Sequence, residues 1–182
     1  MRFVRTKLRD AFLLIPEPAR DDRGFFERTY CEREFSAHGI DCRFVQHSRS
    51  VSRHRGTVRG MHFQRHPHEE AKVVSCARGA IIDVIVDLRR GSETFGKWEA
   101  FELSEENRHQ LFVPVGFAHG FQTLCGDTEV DYLISNFYQP DASSGVRHDD
   151  PVLAIKWPLP ISVISDRDRS WPLMAPADLS IA

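Results

Sequence analysis

The stretch Ala80-Ile81-Ile82-Asp83-Val84-Ile85-Val86-Asp87-Leu88 decides the fold of this 182-residue chain. It is rich in β-branched residues and apolar on both faces except for its two aspartates, which is the composition of a strand. Further strand-like runs precede it at residues 11–15, 25–30, 44–51, 58–63 and 71–77. Others follow at 97–103, 110–113, 118–124 and 128–137. Turn signals punctuate them at Asp21-Asp22-Arg23-Gly24, Gly56, Gly79, Gly91 and Gly96. One two-turn helix is expected over 32–38, stopped by Gly39. Many short strands with almost no helix between them predict an all-β antiparallel sandwich or barrel with short peripheral helices. Length predicts one domain over residues 1–182. Beyond Pro140 the prolines at 151, 158, 160 and 172 predict irregular chain that wraps the barrel.

Composition narrows the function. The net charge is −2, so there is no electrostatic footprint for nucleic acid. Of the 24 basic residues, 20 are arginine, and Lys72 is one of only four lysines. Arg49, Arg53, Arg55, Arg59 and Arg65 cluster in sequence; they make either a solvated face or a site for a phosphorylated ligand. Cys31, Cys42, Cys76 and Cys125 show no CxxC spacing, which predicts free thiols in a reduced, cytoplasmic protein. The charged first ten residues and the shortness of every apolar run predict neither a signal peptide nor a membrane span.

Titratable groups concentrate in residues 59–72, Arg-Gly-Met-His-Phe-Gln-Arg-His-Pro-His-Glu-Glu-Ala-Lys. His119 joins them from Pro114-Val115-Gly116-Phe117-Ala118-His119-Gly120. Such groups beside a buried sheet are costly unless they bind or react. Gly60, His66, His68, Lys72 and Gly79 match the spacing of the first cupin motif, and Pro114, Gly116 and His119 match the core of the second. Both motifs sit on a small jelly-roll barrel. A metal-binding cupin needs an acid where this chain has Lys72, and an ammonium has no lone pair to donate. The expectation is therefore a metal-free cupin whose imidazoles are free to act as bases. His66 and His68 flank a proline and are expected in an exposed loop. Alternation along residues 128–135 puts Val130, Tyr132 and Ile134 on one face, so Tyr132 should point inward.

Several segments together resemble the dTDP-4-dehydrorhamnose 3,5-epimerase family. They are Arg23-Gly24-Phe25-Phe26, Arg59-Gly60-Met61-His62-Phe63-Gln64, Lys72, Asp83-Val84-Ile85-Val86-Asp87, Gly116-Phe117-Ala118-His119-Gly120-Phe121, Tyr132, Asn136-Phe137-Tyr138 and Ile155-Lys156-Trp157-Pro158. The resemblance implies a dimeric jelly roll acting on a nucleotide-activated 4-keto-6-deoxy sugar. It implies His62 as base, Tyr132 as acid, Lys72 at the keto oxygen and Asp168 orienting His62. The chemistry of the residue types agrees. Protons beside a ketone become acidic only if the enolate oxygen is stabilised, and Lys72 supplies a point charge. A neutral imidazole suits proton removal near pH 7. No redox cofactor is needed.

Arg59, His119, Tyr138 and Arg167 are further candidates for substrate contact. Arg28 stands where the family usually has glutamate, and Gln46-His47-Ser48 where it often has Gln-x-Asn. Both positions are associated in the family with the nucleotide, so Arg28, Gln46 and Ser48 join the list. Arginine can only donate hydrogen bonds, which predicts a base preference other than strict thymidine. Arg23 and Phe26 are the candidates to cross into a partner's site. On a regular strand Arg59 and His62 would face opposite sides, and Gly60 offers room for a bulge. Rival readings are a sugar-nucleotide 3,4-ketoisomerase, a non-catalytic sugar-nucleotide-binding module and a metal-dependent oxygenase.

Overall fold

Two antiparallel sheets pack face to face. The computed structural model describes residues 1–174. Its strands are β1 (Arg2–Arg5), β2 (Phe12–Ile15), β3 (Ala19–Asp21), β4 (Gly24–Phe26), β5 (Gln46–Ser52), β6 (Val58–Gln64), β7 (Lys72–Arg78), β8 (Ala80–Asp87), β9 (Trp98–Ser104), β10 (Gln110–Val113), β11 (Phe117–Thr123), β12 (Thr128–Ile134) and β13 (Ser143–Gly145). Two short helices accompany them, α1 (Glu32–Ala37) and α2 (Asp166–Arg169). One sheet has the order β1-β2-β10-β7-β12-β5 and the other β13-β6-β11-β8-β9, with β3 and β4 as a separate hairpin. This is the all-β jelly-roll sandwich with small peripheral helices.

The sheets bury apolar residues on both faces, which explains why β8 lacks a polar side. Its Ile81 and Ile85 join Val74, Leu103, Leu111, Phe121 and Val130 between the sheets. Its Val84 and Val86 face outward, where Val146, Leu153 and Ile155 from the C-terminal chain cover them. The irregular chain beyond Pro140 thus wraps the sandwich. On the opposite outer face Phe35 of α1 is fully buried against Phe12, Leu14, Val73 and Phe112. Asp83 and Asp87 remain inside, each with hydrogen bonds, as buried carboxylates require.

One local reading is corrected, and three short elements come in addition. The run 25–30 is not one strand: Gly24–Phe26 pairs with Ala19–Asp21 in a hairpin, and residues 27–31 are irregular. Its aromatic composition mimicked a strand, but every hairpin side chain is exposed and no sheet core receives it. Arg2–Arg5 is a strand although four of the first ten residues are arginine or lysine; it is an edge strand paired to β2 whose Phe3 packs on Phe12 and Phe35. An edge tolerates charge on its outward positions. The three-residue β13 and four-residue α2 are too short for periodicity to register.

Candidate active site

A cavity of about 710 Å³ is lined from both sheets. Strands β5, β7 and β12 supply one wall, β6 and β11 the other, and residues 163–168 reach its rim. The β6 wall depends on a bulge. His62 pairs with His119 and Arg59 with Phe121, so β6 spends three residues where β11 spends two. The extra residue brings Arg59 and His62 to the same face, where both line the cavity. Gly60 makes this possible: at φ +117°, a Cβ there would lie 2.6 Å from Gly120 Cα and 2.7 Å from the His119 carbonyl oxygen. Only glycine fits so close to another backbone.

His62 is held from behind. Its Nε2 lies 2.6 Å from Asp168 Oδ1. Burial pushes the Asp168 carboxyl up, but the bonds from His62, the Gly60 N–H and Trp171 outweigh that and leave it below its ordinary value. An ionised carboxylate only accepts, so Nε2 carries the hydrogen and Nδ1 keeps the lone pair of a base. Asp168 is itself positioned by α2: its N–H donates to the Ser165 hydroxyl at 3.1 Å, capping the turn.

Tyr132 faces inward from the opposite sheet, as alternation predicts, while Glu129 and Asp131 point outward to Arg49. Burial pushes the Tyr132 phenol well up, and a 3.1 Å hydrogen bond with the Ser50 hydroxyl opposes this. Lys72 is only 10% exposed, and its ammonium donates to Glu70 at 2.9 Å. Glu70 also accepts from Gln64 Nε2 at 2.8 Å, and Gln64 Oε1 accepts the Gln139 N–H at 2.7 Å. His119 Nε2 lies 2.6 Å from Asp83 Oδ1. Burial raises the Asp83 carboxyl against the pull of His119 and Lys72, and its Oδ2 has no hydrogen-bonding partner among the described residues. The Arg167 guanidinium holds the Tyr138 phenol below its ordinary value and donates to Ser143 at 2.7 Å.

The cavity thus collects Gln46, Ser48, Arg59, His62, Lys72, His119, Tyr132, Tyr138, Arg167 and Asp168. Arg23, Phe26 and Arg28 do not line it. Arg23 pairs with Asp21 on the exposed hairpin, Phe26 is 75% exposed, and Arg28 donates to Glu34 at 3.0 Å. Of the residues behind the expectation of a base preference other than strict thymidine, Gln46 and Ser48 line this cavity and Arg28 does not. His66 pairs with Glu69 in an exposed loop, and neither His66 nor His68 reaches the cavity. Of the clustered arginines, Arg49 and Arg59 line it, and Arg49 is occupied by Glu129 and Asp131. Sequence reading missed Glu70 and Ser50. Glu70 sits two residues before Lys72, a spacing that puts both on the same side of an extended chain, and so was visible in principle. Ser50 carried no signal.

No described helix is long and apolar enough to cross a membrane. The family model for dTDP-4-dehydrorhamnose 3,5-epimerase matches residues 5–176. A protein of that name from Methanothermobacter thermautotrophicus is 44% identical over 173 residues, covering 93% of this chain and 92% of its own. The crystal structure of the Bacillus anthracis dTDP-4-dehydrorhamnose 3,5-epimerase, with TDP and pyrophosphate bound, superposes with a TM-score of 0.92 at 44% identity, over 95% of this chain and 99% of that one. The Legionella pneumophila dTDP-6-deoxy-D-glucose-3,5-epimerase, in complex with dTDP-4-keto-L-rhamnose, gives a TM-score of 0.89 at 36% identity, over 94% and 92% of the two chains.

Proposed function

This chain belongs to the dTDP-4-dehydrorhamnose 3,5-epimerase family and is an epimerase of nucleotide-activated deoxysugars, and we propose that it works by proton transfer between the two sheets. The observation that carries the proposal is the pair of opposed groups. His62, backed by Asp168, projects from β6, and Tyr132 projects from β12 across the same cavity. A sugar ring held between them meets a base on one face and an acid on the other, which is the arrangement an inversion needs.

In this mechanism the substrate is a 4-keto-6-deoxyhexose carried on a nucleoside diphosphate, as the relatives' ligands suggest. Lys72, beside Tyr132 on the same sheet, takes the C4 oxygen. His62 Nδ1 removes a proton from a carbon flanking the ketone, C3 or C5. Charge moves onto the C4 oxygen, where the buried ammonium stabilises it far better than water would. Tyr132 then gives its proton to the opposite face of the same carbon. Imidazolium formation at His62 is stabilised by the Asp168 carboxylate. Arg59 and Arg167 are the cations lining the cavity that suit the diphosphate. The four cysteines are free thiols, which supports a cytoplasmic setting.

A dimer belongs to the proposal. The β3–β4 hairpin presents Phe25 and Phe26 at 49% and 75% exposure, beside Arg23. Adjacent exposed aromatics on a projecting hairpin suit insertion into a second copy of the chain, where they would complete its nucleotide site.

Incubating the protein with dTDP-, CDP-, GDP- and UDP-linked 4-keto-6-deoxy sugars in deuterated water tests the function and the base together. The expected result is deuterium at C3, C5 or both, with inverted product and the dTDP sugar turned over best. A 3-keto product would instead identify a ketoisomerase. Binding without exchange would reduce the protein to a sugar-nucleotide-binding module.

A further inference from the structure

An acid that gives its proton away must be reloaded, and Tyr132, although it lines the cavity, is partly buried against the core. Its ring packs against the core between the sheets, and burial pushes its phenol up. Among the described residues its hydroxyl has one hydrogen-bonding partner, the Ser50 hydroxyl at 3.1 Å. Ser50 stands on β5, the last strand of its sheet, in register with Val130 and diagonal to Tyr132. It is half-buried and lines the cavity, so it touches the phenol on one side and the water-accessible space on the other.

Three other polar groups of the cavity are committed elsewhere. His119 meets the Tyr132 ring edge-on at 6.2 Å between centroids, and its Nε2 is tied to Asp83. Lys72 is tied to Glu70. Arg59 donates to the Ser52 hydroxyl and the Val51 carbonyl, and a guanidinium does not release protons at neutral pH. A serine hydroxyl is both donor and acceptor, the property a proton conduit requires.

We propose that Ser50 is the positioning residue that returns protons to Tyr132. The inference rests on the acid role given to Tyr132 above. When the Tyr132 O–H bond breaks, its proton forms the new C–H bond of the sugar and the electron pair stays on the phenolate oxygen. The Ser50 O–H then breaks toward that oxygen while Ser50 Oγ takes a proton from cavity water. The hydroxide equivalent left behind is neutralised by the proton that His62 took from the sugar and returns to solvent. While the phenolate exists, the Ser50 hydroxyl donates to it and lowers the cost of its charge; of the influences on this phenol, the Ser50 bond is the largest one opposing burial.

The test compares Ser50→Ala, Ser50→Thr and Tyr132→Phe in deuterated water, reading deuterium wash-in separately from inversion. Ser50→Ala should lower inversion about 10-fold or more, a fraction of the usual effect of general acid–base catalysis, while wash-in through His62 stays within about 3-fold and KM is unchanged. Ser50→Thr keeps a hydroxyl on a strand-favouring side chain and should restore inversion. In the Tyr132→Phe protein, Ser50→Ala should have no further effect, because there is no phenol left to reload. Inversion within about 2-fold of the wild type in Ser50→Ala would overturn the relay, as would a parallel fall of exchange and inversion or a failure of threonine to restore. A wild-type protein that neither exchanges nor inverts would instead overturn the proposed function, and the relay with it.

Discussion

His62, Tyr132 and Lys72 are assigned different steps, so their substitutions should fail differently. His62→Asn removes the base at similar size; wash-in and product should both fall, by about 100-fold or more. Tyr132→Phe keeps the ring and its packing. His62 can still form the enolate and return a solvent proton to the original face, so deuterium should wash in while little inverted product forms. Equal loss of exchange and inversion in Tyr132→Phe, with normal binding, would remove it from the acid role. Lys72→Met should abolish exchange as well, by about 100-fold or more, because the enolate loses its charge partner where water cannot replace it. Asp168 adds a pH signature. Its carboxyl sits below its ordinary value in the folded protein, so the stability it contributes is present above the unfolded aspartate range and is lost as pH falls through the lower folded value. Asp168→Asn should remove that acid-sensitive increment from denaturation curves taken between neutral and acid pH. It should also cost activity about 100-fold, because the amide can leave His62 in the wrong tautomer. An unchanged acid limb would mean that His62 is held by something else.

The β6 strand shows how one glycine places two side chains. A Cβ at position 60 would meet backbone atoms of β11, which cannot move aside as a flexible side chain would. Gly60→Ala should therefore push β6 from β11 and misplace Arg59 and His62. Overpacking of this kind typically costs about 1–3 kcal/mol, and the positive φ adds to it. The expected outcome is a lowered Tm with a much larger loss of kcat than a stability change alone explains. A well-folded Gly60→Ala protein with wild-type kcat would show that the bulge does not set His62. The short α2 acts in the same way on the other partner: a four-residue turn capped by Ser165 presents Asp168 to a histidine 106 positions earlier in the chain.

For the molecule as a whole, two expectations follow from how the sandwich is built. The hairpin leaves Phe25 and Phe26 exposed, and under the proposed dimer the hydrodynamic mass at micromolar concentration should be that of two chains. Phe26→Asp should weaken association and raise KM more than it lowers kcat. A fully active monomer would sink the dimer. The second concerns metal. Lys72, inside the cavity, occupies the position where a metal-binding cupin has an acid, and His66 and His68 do not reach the cavity. Activity should survive exhaustive chelation; loss on chelation with recovery on adding back one divalent ion would reject this metal-free mechanism.

The all-β class, the inward Tyr132, the buried β8 and the wrapping C-terminal chain were legible in the amino-acid sequence, because strand alternation and proline placement are local properties of a few neighbouring residues. The motifs and the family resemblance named His62, Lys72, His119, Tyr132 and Asp168 as candidates, and all five line one cavity. What the linear chain could not express was which groups touch. The bulge that turns Arg59 toward the His62 face depends on the backbone of β11, and the bonds Ser50–Tyr132 and Asp83–His119 join residues 82 and 36 positions apart. Such pairings arise only when the sheets close on each other. A buried polar group must then find a partner among whatever the opposite strand presents, and that choice is made by tertiary packing rather than by local pattern.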